Sequence, residues 1–392
     1  MLFTLNEIKN LTENRVNSLK ENQIAEDKHL EYKLTLPSEK YDDKKEFLAD
    51  VSSFANADGG VIFYGIKAKD GIPIDIRGLD IVNADKEILR LENILRTSIE
   101  PRIFGIYFHP FKLSNNNFLI IIYIPKSFNP PHVVNFQGHW RFYTRHSNGK
   151  HQMDLSEVKT SLNLSENLGE RIKNFRLERI SRIISNDVNV PLIDSPKIVI
   201  HLLPLASFDK GHRLDLSVYL NNYQNLRPLF GSTSFQRFNL DGFLTYSTTS
   251  DYKTAEAYLL LFYSGIIESI NAITLTLYGQ SRKSFQIEAF AKGIINELYR
   301  FLDELKNLNV NCPIILMITF LSIKDYWMDS SNPYLHADNS VDRDILLLPE
   351  VIINDYSERV ELLIKPIFDS LWQAFGFSKC RHYNDKGEWV LK

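Results

Sequence analysis

The chain changes its hydrophobic rhythm several times, and each change predicts an element. In "SEKYDDKKEFLADVSSFANADGG", Phe47, Leu48, Val51 and Phe54 recur at i, i+1, i+4 and i+7, the spacing of one helical face. Asn56 and then Gly59-Gly60 mark the end of that helix, because these residues tolerate the left-handed backbone of a cap and turn. Ile88, Leu91, Ile94 and Leu95 define a second helix, stopped by Pro101. Strands are predicted at "GVIFYGI", "IFGIYFHPFKL", "FLIIIYIPKS" and "HWRFYTRHS", with Asn115 to Asn117 turning the chain between the second and third. Ahead of them lie a polar surface helix and a strand from His29 to Leu36. "MDLSEVKTSL" reads as a capped helix with Asp154 or Ser156 near its start.

These elements predict an α+β unit over residues 1–162. "LGERIKNFRLERISRIISN" predicts a helical connector, 163–190. From 191 to 392, strands ("KIVIHLLPL", "INAITLTLYG", "CPIILMITFLSI") alternate with helices ("SFQIEAFAKGIINELYRFLDELKNL", "SERVELLIKPIFDSLWQAFG"), an order that suggests an α/β C-terminal domain. That domain offers no catalytic spacing, so oligomerisation or the sensing of a partner is the role expected of it.

Composition narrows the class. With 44% hydrophobic and 24% charged residues over 392 positions, the chain has the make-up of a globular protein. Its start, "MLFTLNEIKN", lacks the apolar core of a secretory signal, and its longest apolar run is too short to span a bilayer. Two cysteines, Cys312 and Cys380, exclude a disulfide framework and a cysteine-rich zinc site. A reduced, cytoplasmic protein without a membrane partner is the expectation.

Net charge is −3, yet between Glu100 and Asp154 there is no acidic residue. That interval holds Arg102, Lys112, Lys126, Arg141, Arg145 and Lys150 with five histidines, so it is locally basic whatever the total. The histidines follow no H-x-H or H-E-x-x-H pattern, which argues for surface or capping roles rather than a metal set. Along "GHWRFYTRHSNGK", strand alternation groups Arg141, Tyr143 and Arg145 on one face. Arginine beside tyrosine, with Lys150 next to it, suits phosphate contact and base stacking on RNA more than on DNA.

In "AEDKHLEYK", Glu31 and Lys33 project to one face of a strand, while Glu26 joins them only if the chain bends between. Carboxylates beside a lysine suit a divalent ion and phosphodiester chemistry, and equally a solvated strand face. The pattern E-(x)4-E-Y-K followed by "DVSSFANADGGVIFYGI" resembles the Schlafen-type AlbA-like domain, and "FYTRHSNGK" is similar to the turn closing that domain. The layout also resembles bacterial members with a long C-terminal extension.

The resemblance implies a nucleic-acid-binding protein, with a metal-dependent endonuclease acting on tRNA-like RNA or on DNA as the sharper expectation. Glu26 and Glu31 would hold Mg²⁺ or Mn²⁺, Lys33 would steady charge, and a third acid would follow the glycine strand. Lys67 and Ala68 occupy that position here, leaving Asp70 as the nearest carboxylate. A role in bacterial antiviral defence is implied by the same resemblance. The other readings are a non-catalytic RNA- or DNA-binding regulator, and an assembly protein forming a homo-oligomer or docking a defence partner through its C-terminal domain.

Overall fold

The computed structural model describes residues 3–146, 149–209, 213–250, 252–275, 283–330 and 339–391. The chain divides into two compact units, Met1–Lys173 and Asn174–Lys392.

In the first unit, helices α1 (Leu5–Lys9) and α2 (Glu13–Glu21) precede strand β1 (Leu30–Lys33) and helix α3 (Tyr41–Asn56). Strands β2 (Gly60–Tyr64), β3 (Ile66–Lys69) and β4 (Ile72–Ile76) lead to helix α4 (Ala84–Ser98). Then come β5 (Ile99–Glu100), β6 (Tyr107–Lys112), β7 (Phe118–Ile124), β8 (Val133–Phe136), β9 (His139–His146) and β10 (Gly149–Gln152). They form one sheet in the order β1-β2-β7-β6, a second in the order β10-β9-β8-β5, and the hairpin β3-β4.

The continuous apolar runs at β2 and β7 have a direct cause. Ile62, Tyr64, Ile120 and Ile122 pack toward α3 and α4, whereas Val61, Phe63, Leu119 and Ile121 pack in the core that holds Val16 and Leu19 of α2. A strand covered on both faces has no polar side to show. Helix α3 is likewise enclosed, contacting β7 of the first sheet and β8, β9 and β10 of the second. Every residue from Phe47 to Ala55 is therefore buried, including Asp50, Ser52 and Ser53. The two serines satisfy themselves by donating to Ala49 O and Asp50 O, one turn back in the same helix.

The exit of α3 is where sequence and geometry meet most tightly. Gly59 has φ +76°, and its N–H closes on Phe54 O at 2.9 Å. A methyl group on Gly60 would fall on the Phe54 ring and 2.7 Å from His29 O. Asn56, expected as a cap, does something different. Its amide donates to His132 O (2.9 Å) and Tyr143 O (2.8 Å) and accepts from His132 N (2.6 Å), tying the helix to the second sheet.

The capped helix and the connector that the sequence separates form one helix, α5 (Leu155–Ile184). Gly169 lies inside it and no proline interrupts it, so nothing ends the first segment. Asp154 is its cap, accepting from Glu157 N at 2.8 Å.

In the second unit, β11 (Lys197–Pro204), β12 (Phe235–Phe238), β13 (Gly242–Thr248), β14 (Ala255–Phe262) and β15 (Ile267–Asn271) precede β16 (Ser284–Gln286) and helix α6 (Ile287–Asn307). Strands β17 (Ile314–Leu321), β18 (Trp327–Asp329), β19 (Ile345–Leu347) and β20 (Val351–Ile353) and helices α7 (Val360–Leu363) and α8 (Lys365–Gln373) complete it. The large sheet runs β12-β13-β14-β15-β11-β17-β19, with β20 also on β17, and each of its pairings is antiparallel. Helix α6 covers it with Phe290, Ile294, Leu298 and Phe301. Taken together, the chain is an α+β mix. Of the strand expected in "INAITLTLYG", β15 ends at Asn271 and residues 276–279 lie outside the described residues, as do Ser147 and Asn148 of "FYTRHSNGK".

Candidate acidic centre and nucleic-acid interface

Strand β1 runs parallel to β2 with Glu31 opposite Ile62, and it places Glu31 and Lys33 on the same side. Lys33 Nζ lies 3.0 Å from Glu31 Oε1. The bend that Glu26 needs is present: Asp27 and Leu30 exchange backbone hydrogen bonds of 3.1 and 3.3 Å across a tight turn. The Glu26 carboxylate thereby folds back and accepts the Tyr32 N–H at 2.8 Å. Half-buried there, it is pushed above its ordinary pKa by desolvation, against the Tyr32 hydrogen bond, with the Glu31 charge adding to the rise.

Around Glu31 the structure gathers more charge than the motif names. Arg145, with a side chain only 3% exposed, donates to Glu31 Oε2 at 2.5 Å and stacks on the Phe54 ring at 3.8 Å. Lys33 also reaches Glu46 (2.7 Å) and Asp50 (3.5 Å), and Lys150 donates to Asp50 Oδ1 at 2.6 Å. Burial by itself would raise the Glu31 pKa, but Arg145 and Lys33 hold it below the usual carboxylate range. Asp50 goes the other way: enclosed in the middle of α3, it is raised by desolvation despite Lys150. Its Oδ2 is buried without a hydrogen-bond partner.

Asp50 is the acid that sequence reasoning missed. It lies on the apolar helix, seventeen residues beyond Lys33, and no spacing rule links it to Glu31. Asp70, the carboxylate nearest the glycine strand in sequence, stands exposed at the tip of the β3-β4 hairpin with φ 51°. It makes no hydrogen bond or ion pair among the described residues, although Gly71 O next to it accepts the Glu26 N–H at 2.8 Å.

The fit of a metal to Glu26 and Glu31 is decided by their free oxygens. Both Glu31 oxygens are engaged by cations, and one Glu26 oxygen is engaged by Tyr32. Only Glu26 Oε2 lacks a hydrogen bond among the described residues. A Mg²⁺ or Mn²⁺ takes several oxygen ligands, and the pair as arranged does not offer them.

On β9 the alternation is as expected, but its faces are reversed. Tyr143 and Arg145 point inward against α3, Tyr143 into the apolar core and Arg145 onto Glu31. Neither is available to stack on or bind a nucleic acid. Lys150 is committed to Asp50, while Arg141 is half-buried and without an ion pair among the described residues. The aromatic that does face solvent is Trp140, 59% exposed beside Arg141. It follows the two-residue turn Gln137-Gly138, whose φ values of 50° and 81° suit a tight hairpin.

Fold and site define an α+β domain built around a half-buried ionic centre. Residues 26–154 match the family described as Schlafen, AlbA_2, and the chain carries a domain of that family there. The family points to nucleic acid as the ligand. Among solved structures, the DIP2311 protein from Corynebacterium diphtheriae is similar over 38% of this chain, at 16% identity and a TM-score of 0.26. The match spans 28% of that protein. No curated protein matches the chain. No helix among the described residues is long and apolar enough to cross a membrane.

Proposed function

We propose that the N-terminal unit binds single-stranded or folded RNA through the β8-β9 hairpin, and that the Glu31–Arg145 centre is the charge-compensated support behind it. The observation that carries this reading is Trp140, exposed on a segment without acidic residues and flanked by His139 and Arg141. An exposed indole gives any base a stacking surface, and the basic, acid-free surroundings attract the phosphate backbone. Arg102 and Lys112, exposed in the same acid-free interval, add to the local positive potential. The test is fluorescence anisotropy of a labelled single-stranded RNA with the full chain between about 50 and 200 mM salt. Affinity should fall steeply with salt, and Trp140→Ala should weaken binding by about 1–3 kcal/mol, roughly 5- to 150-fold. Equal affinity of wild type and Trp140→Ala would remove the basis of the proposal.

A second reading is a metal-dependent endonuclease of tRNA-like RNA or DNA, serving in bacterial antiviral defence with Mg²⁺ or Mn²⁺ at Glu26 and Glu31. The proximity of those two carboxylates favours it, and it requires Arg145 to release Glu31 first. Incubating tRNA and DNA with the full chain, in Mn²⁺ and in EDTA, separates the two readings. Cleavage that disappears in EDTA and in Glu26→Gln supports the enzyme, whereas binding without cleavage supports the RNA-binding module. A homo-oligomer or a defence partner engaged through residues 191–392 is proposed on the same footing, and light scattering on the full chain tests the oligomer.

A further inference from the structure

The β9-β10 hairpin brings together side chains that their order in the sequence keeps apart. His146 pairs with Gly149 in the antiparallel register, so His151, two residues beyond that partner, is its diagonal neighbour. Their rings lie 4.7 Å apart, centre to centre. Both present Nε2 to the same carboxylate oxygen, Glu157 Oε1, at 3.5 Å from His146 and 3.0 Å from His151. All three donor atoms fall within 4.8 Å of one another.

We infer that His146, His151 and Glu157 form a binding site for a divalent transition metal of the zinc class. In a tetrahedral site, bonds of about 2.0–2.2 Å put neighbouring donor atoms roughly 3.3 Å apart. The two histidine–carboxylate separations bracket that value and the third lies within 4.8 Å, so a cation can enter between the donors once the imidazoles close on it. Two imidazole nitrogens with one carboxylate oxygen suit zinc and its neighbours rather than magnesium or calcium, which prefer oxygen alone.

The carboxylate is also held in place from behind. Glu157 Oε2 accepts the Asp154 N–H at 2.9 Å while Asp154 Oδ1 accepts the Glu157 N–H at 2.8 Å, a reciprocal cap at the start of α5. One oxygen of Glu157 is thus spent on positioning and the other faces the histidines, the division of labour seen where outer hydrogen bonds orient a metal ligand. Three protein ligands leave a fourth position, and the exposure of His146 opens it to solvent, where a water or a phosphate oxygen completes the shell. This site is separate from Glu26 and Glu31 and does not depend on the reading proposed for them.

The test is calorimetric titration of Zn²⁺ into the full chain after chelator treatment and buffer exchange, with folding of each variant checked by circular dichroism. One Zn²⁺ per chain is expected. His146→Asn and His151→Asn should each weaken it by about tenfold or more, and Glu26→Gln/Glu31→Gln should leave it unchanged. Replacing Zn²⁺ with Co²⁺ should give a visible d–d band that the double histidine variant lacks. Failure of Zn²⁺ to bind, binding that the double histidine variant retains in full, or binding lost with Glu26 and Glu31 would each overturn the assignment.

Discussion

Arginine 145 offers the sharpest test, because its two possible roles predict opposite phenotypes. As a phosphate ligand it would matter for binding and little for stability. In the structure its side chain is 3% exposed, its guanidinium lies 2.5 Å from Glu31, and its face covers the Phe54 ring at 3.8 Å. Among the described residues, Arg145→Ala leaves Glu31 with Lys33 as its only cation within ion-pair distance, next to Asp50 and Glu46. Removing one partner of a buried pair costs about 3–5 kcal/mol, since the remaining charge keeps its desolvation without its compensation. The lost cation–π contact with Phe54, worth about 0.5–2 kcal/mol, moves the cost toward the upper end of that range.

Hydrogen exchange of the full chain, read by mass spectrometry on peptides covering α3, resolves this unit from the other. Protection there should fall by about 100- to 1,000-fold or more. Glu31→Gln placed on top of Arg145→Ala should recover part of the loss, because the orphaned charge is then gone. Protection unchanged within about threefold in Arg145→Ala would refute the reasoning. Combined with weaker RNA binding, that result would return Arg145 to the role of a phosphate contact.

Three further outcomes follow from the same physics. Gly60→Ala should destabilise the first unit by about 1–3 kcal/mol, measured by the same exchange experiment, because its methyl group meets the Phe54 ring and His29 O at once. In the second unit, Glu268 is fully buried between Arg179 (2.6 Å) and His201 (2.8 Å). Burial alone would raise its pKa, yet these partners bring it down to about 2 from 4.5. A depressed carboxylate contributes stability that is present above its unfolded pKa and lost as pH falls through its folded one. Exchange protection of β15 should therefore decline between about pH 4.5 and 2, and Glu268→Gln should flatten that part of the profile while lowering stability at neutral pH. Lys150→Ala should reduce protection of α3 as well, by removing the closest cation from Asp50.

Much of the first unit was legible in its rhythm. The apolar runs at β2 and β7 marked strands, though not that both of their faces are covered, and the E-x-K spacing put Glu31 beside Lys33. Strand alternation also grouped Tyr143 with Arg145 correctly, but a period of two cannot tell which face is inside. That choice is made by α3, which covers the second sheet. Asp50 escaped notice for a related reason: it stands within an apolar helical stretch, and its partners come from β1 and β10. His146, His151 and Glu157 meet only because the hairpin register and the cap of α5 bring them together. In the second unit, the antiparallel order of β12 to β15 was not evident, since apolar runs alternating with helices fit parallel and antiparallel sheets alike.

The most direct measurement is ultraviolet crosslinking of a labelled single-stranded RNA to the full chain, with the linked peptides identified by mass spectrometry. Crosslinks centred on Trp140 in the β8-β9 hairpin are expected. Crosslinks confined to other parts of the chain, with the peptide carrying Trp140 recovered unmodified, would contradict the proposed interface.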